Sequence, residues 1–157
     1  MINWIDILSP RLRHLHRDWI HFRAHNLMPA VGDYNGFARA EAVEAAQRHS
    51  ATVILPAESG PLFKHVGDGL NGVLPSCRSG MHFSDLASPV LRAALTGPFH
   101  RIASSRQPEA RRSHTRGGNE TSDYEMLLLP FCDSRLRVCI IHAVYDLAGI
   151  DWKRAFA

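Results

Sequence analysis

The chain has 157 residues, 45% of them hydrophobic, and a formal charge of +3 with its ten histidines neutral; this is the length of one domain, with apolar content enough for a core. Its basic residues are not gathered into a single run, which argues against nucleic acid as a partner. Cys77, Cys132 and Cys139 are odd in number and form no C-x-x-C pair, which argues against a disulfide framework and a structural zinc site and fits reduced thiols in a cytoplasmic protein.

The opening MINWIDILSP carries no basic n-region, and Asn3 and Asp6 interrupt its apolar residues. Neither a signal peptide nor a membrane span is expected there, and no later run is long enough to span. A helix is predicted over residues 9–27, with Ser9 as N-cap and Pro10 at the first helical position, where a missing N–H costs nothing. Leu12, Leu15, Trp19 and Phe22 follow at helical spacing as one apolar stripe, expected to form the interface of a homodimer. Arg11, Arg13, Arg17 and Arg23 make a basic face opposite, read as solvated. His21 and His25 have the i,i+4 spacing of a metal pair, yet no acidic ligand stands beside them, so no metal site is assigned.

Alanine-rich FARAEAVEAAQRH predicts a second helix from Gly36 to Arg48. ATVILP and LFKHVG then read as two strands of a hairpin, with Glu58 to Pro61 as the turn. From Gly69 to Leu86 the periodicity is lost, and short helices and turns are expected. SPVLRAALTGP predicts a brief helix that Ser88 caps, Pro89 starts, Gly97 stops and Pro98 prevents from continuing. FHRIAS is read as a third strand, and the polar SRQPEARRSHTRGGNETS as a long, mobile hairpin connection. Two more strands follow, Thr121 to Phe131 and Leu136 to Tyr145. In the first, Tyr124, Met126 and Leu128 share one face while Leu127, Leu129 and Phe131 share the other. Both faces are apolar, so each needs cover, with the N-terminal helix or a second copy over one of them.

The order describes a single α+β domain over residues 1–157: an N-terminal helix over 9–27, a core over about 36–147 and a tail over 148–157. It has a five-stranded antiparallel sheet with short helices over one face. No G-x-S-x-G element, phosphate loop or paired acids are present, and no enzyme activity is expected.

Four motifs in order, FKHVGDGL, SGMHFSDL, LRAALTGP and above all YEMLLLPF, resemble those of PAS domains, specifically the single-domain PAS-like proteins of alphaproteobacteria. The resemblance implies a sheet cupped around a small cavity beneath the short helices. It also implies sensing or signalling through protein–protein contacts, often as a dimer, without catalysis. The expected ligand-binding residues are Leu70, Val73, Met81, Phe83, Leu91 and Leu95, facing Tyr124, Met126 and Leu128, around a small apolar ligand. The expected polar points are Tyr124, His82 or His100, and His82 and His100 flank the expected roof. They are also the candidates for the alternative, a haem- or metal-binding gas or redox sensor. No cofactor is required by the sequence, and LPSCRSG around Cys77 does not resemble the cysteine motif of photoactive flavin domains.

Overall fold

The computed structural model describes residues 9–56, 58–70, 74, 76–117 and 120–147, with side chains left aside over 113–117 and 120–123. Ser9 caps the first helix, α1 (Pro10–Arg23), by accepting from the Leu12 N–H at 3.2 Å. The helix ends at Ala24, whose φ of 49° breaks the backbone path. His25 therefore lies beyond the helix, and the i,i+4 pairing with His21 does not arise.

Two short helices follow, α2 (Tyr34–Ala38) and α3 (Glu41–Ala45), and a 3-10 turn over Gln47–His49. This corrects the single helix expected from Gly36 to Arg48. Phe37 and Val43 are both buried, and six residues apart on one straight helix they would point about 120° away from each other. The break at Ala40, which is extended at ψ 140°, lets both reach the core.

The sheet has β1 (Ser50–Ile54), β2 (Leu62–Val66), β3 (Glu109–Gly117), β4 (Glu120–Cys132) and β5 (Val138–Asp146) in the order β2-β1-β5-β4-β3. All its pairings are antiparallel. The β1–β2 hairpin stands where the apolar runs place it. The fourth helix, α4 (Pro89–Ser105), does not stop at Gly97 but carries Pro98 in its interior. FHRIAS is accordingly its second half and not a strand. A proline inside a helix gives up the bond to the carbonyl four residues back and crowds both that carbonyl and the residue before it; glycine at 97 has no Cβ to add to the second clash. Buried Phe99 and Ile102 then hold the second half to the core.

The expected mobile connection is instead β3, paired with β4 from Glu109↔Leu128 to Gly117↔Glu120. As an edge strand it pairs on one side only, so it can be as polar as Arg111 and Arg112 make it. The apolar stripe of α1 packs on the chain's own β4 and β5. Leu12, Leu15 and Trp19 are buried within the single chain, and Phe22 is half-buried, edge-on to Phe37 at 6.1 Å. This corrects the expected dimer stripe: these side chains are occupied by their own sheet. The helices α1, α2 and α3 thus cover the face of Leu127, Leu129 and Phe131, and α4 covers the face of Tyr124 and Met126. Among the described residues no helix is long and apolar enough to cross a membrane.

Candidate functional site

Alternation along β4 turns Tyr124 and Met126 towards α4, and the register pairs Met126 with Tyr145 of β5. From above, α4 presents Leu91 and Leu95 one turn apart, followed by Pro98 and Phe99. Together with Leu74 these side chains line a cavity of about 340 Å³, with Arg101 and Arg111 also on its lining. Arg101 donates to Glu109 at 2.7 and 3.3 Å, and the Arg111 guanidinium lies 3.9 Å from the same carboxylate. Glu109 therefore ties the end of α4 to the start of β3 beside the cavity.

Tyr145 is the deeply buried polar group of this space, where Arg101 and Arg111 are half exposed. It is 1% exposed, its ring lies 5.9 Å from that of Tyr124, and its hydroxyl has no hydrogen-bond partner among the described residues. Burial pushes the phenol well above its ordinary range, and the neighbouring Tyr124 and Cys77 add to the shift. It stays a neutral O–H, able to donate to a ligand acceptor and to accept in return. A buried hydroxyl left unpaired costs about 1–3 kcal/mol, which a ligand with one matching group would recover.

Of the expected ligand residues, Leu91, Leu95, Tyr124 and Met126 line the cavity. Leu70, Phe83 and Leu128 are buried core instead, Phe83 packing at a tilt on Phe63 at 4.7 Å and edge-on to Phe99 at 5.3 Å. Met81 and His82 lie at the sheet's edge. Gly80 donates to Phe63 O at 2.6 Å, Phe63 N to Met81 O at 2.9 Å and Phe83 N to Pro61 O at 2.9 Å, so this segment runs along β2 as an added edge. His100 is exposed on α4, and Val73 lies outside the described residues. Among the described residues no histidine lines the cavity, so His82 and His100 are not placed to hold a haem there. Tyr145 was missed by sequence reasoning, although alternation along VCIIHAVYD puts it on the face of Ile141 and Ala143; only the register with Met126 makes that face the cavity face.

No family model matches this sequence, and no curated protein does. Solved structures do. The PAS domain of BvgS from Bordetella pertussis superposes with a TM-score of 0.51 at 16% identity, over 78% of this chain and 91% of that one. The fold is PAS-like. A light-oxygen-voltage domain from work on a flavin analogue gives 0.49 at 13% identity, over 76% and 93% of the two chains. A PAS domain from Colwellia psychrerythraea gives 0.43 at 9% identity, over 66% and 90%. In the PAS-like frame, the cavity of Tyr145 lies between the sheet and the helix that precedes its last three strands.

Proposed function

We propose that this chain is a sensory signalling module, similar to single-domain PAS-like proteins, whose cavity beneath α4 takes a small, mainly apolar ligand with one hydrogen-bonding group for Tyr145. The observation that carries this reading is the buried, partnerless Tyr145 hydroxyl beside a cavity of about 340 Å³. Ligand-sized pockets are apolar spaces with few polar points, and this cavity is built in that way. The module performs no catalysis of its own and passes its signal to a protein partner, as a homodimer formed through a surface other than the α1 stripe. A ligand switches such a module only by binding one arrangement better than another. Arg101 and Glu109 make α4 and β3 the elements that feel the cavity's contents.

Native mass spectrometry and a visible spectrum of protein purified without added cofactor test this. A bound mass in the wild-type chain that is lost in Leu95→Trp, which fills the cavity, supports the ligand reading. A ligand-free mass in both, with no thermal shift from a panel of apolar fragments, sinks it. A Soret band would move the assignment to haem. A dimer mass bears on the oligomer alone.

A further inference from the structure

The opposite face of the sheet holds a second cleft, of about 310 Å³, between β1, β2 and β5 and the helices α2 and α3. Its geometry begins with the register. Thr52 pairs with His142 on one side and with His65 on the other, so the three side chains stand in a row across three strands. The β1–β2 register then shifts by one residue between Thr52 and Val53, where Lys64 is the extra residue on β2. A regular strand would send Lys64 to the other face. The bulge instead places Lys64 and His65 together on the lining of the cleft.

His142 is 4% exposed, and among the described residues its Nε2 has no hydrogen-bond partner; nor has the Nε2 of His65. The other nitrogen of His142 is held by the Tyr34 hydroxyl at 3.1 Å, which also meets Thr52 Oγ1 at 2.6 Å. Either hydroxyl can donate in this chain; we assign Thr52 as donor to Tyr34 and Tyr34 as donor to Nδ1, which puts the imidazole proton on Nε2. Every unspent polar atom named here is then a donor or a ring nitrogen able to become one. Among the described residues no carboxylate lines the cleft, and Val43 supplies an apolar wall.

We infer that this cleft is a second ligand site, for a small organic carboxylate held by His142, His65 and Lys64. An anionic oxygen satisfies the buried N–H, while the ammonium of Lys64 supplies the opposite charge at the rim. An apolar or aromatic body would lie against Val43 and the Tyr34 ring. Burial keeps His142 neutral, at about 4, so it offers a hydrogen bond and not a charge. A metal is the poorer occupant, because among the described residues no group of three ligating side chains gathers. The site is separate from the Tyr145 cavity and does not depend on it.

The test is a benzoate titration of the isotope-labelled chain near neutral pH, following the histidine ring nitrogens and the Tyr145 ring by NMR. Saturable shifts of His142 and His65 are expected, with a Kd of about 1 mM or tighter, while the Tyr145 ring stays still. Lys64→Met, at an exposed position, and His65→Asn, at a half-buried one, should each weaken binding by about tenfold. Absence of a saturable shift overturns the assignment, as does unchanged affinity in both variants. A shift of both rings by zinc alone, with none from benzoate, would make this a metal site and overturn it too.

Discussion

The Ser9 hydroxyl donates to the carboxylate of Asp146, 137 residues further along the chain. The same serine accepts from Leu12 N and offers its own N–H to Glu125 Oε1 at 3.0 Å. Glu125 and Asp146 are a register pair on β4 and β5, so one residue fixes the start of α1 over two buried acids. The positive end of a helix favours carboxylates there.

Ser9→Ala removes both the cap and a donor to a buried carboxylate. The variant should lose about 2 kcal/mol or more, read as a lower urea midpoint at unchanged slope.

Trp19 is 2% exposed, and its indole N–H donates to Pro130 O at 2.9 Å. Trp19→Ala should therefore destabilise the chain by about 3–5 kcal/mol. Light scattering of the protein that remains folded should report the same oligomeric state as the wild type. A change of oligomer with little loss of stability would return the stripe to an interface role.

Gly67 lets β2 leave close to the backbone of the Gln47–His49 turn. A Cβ there would stand 2.2 Å from Arg48 O, whereas one on Gly32 meets nothing within 4 Å. Gly67→Ala should cost about 2–3 kcal/mol, and Gly32→Ala should raise stability by about 0.5 kcal/mol. Thermal unfolding of the pair checks the contrast.

His142 sits at about 4 in the fold against its ordinary 6.5, chiefly through burial, with His65 adding to it. His16 is also lowered to about 4, by burial and by Arg23. Between these values the unfolded chain takes up protons that the folded chain refuses, so stability is full above 6.5 and falls as pH drops towards 4. The slope from His142 is about 1.4 kcal/mol per pH unit inside this window. Urea midpoints at its two ends should differ for the wild type and differ less for His142→Gln.

Tyr145→Phe deletes a hydroxyl with no partner among the described residues. The ligand-free variant should be as stable as the wild type or gain about 1 kcal/mol, while losing any ligand anchored by that group. Thermal shift with and without bound fragment separates the two effects.

Much of the frame is legible in local patterns. Ser9-Pro10 and Ser88-Pro89 start helices by their own chemistry, and the two apolar faces of residues 124 to 131 demand cover on both sides of a sheet. Leu91, Leu95, Tyr124 and Met126 follow from periodicity once a helix is laid on that face. What local patterns do not contain is pairing. Gly97-Pro98 reads as a stop in any short window and becomes helix interior because Phe99 and Ile102 are anchored by distant strands. The polar run after Ser105 reads as a loop and becomes β3 because β4 offers its edge. Tyr145 becomes a buried polar point of the cavity through its register with Met126, and a one-residue bulge against β1 sets Lys64 beside His65. The sequence by itself determined which segments carry apolar faces and where helices begin, since those depend on neighbours within a turn or two. Only the tertiary structure decided which strands meet, and with them both clefts, because strand register is set by contacts far apart along the chain.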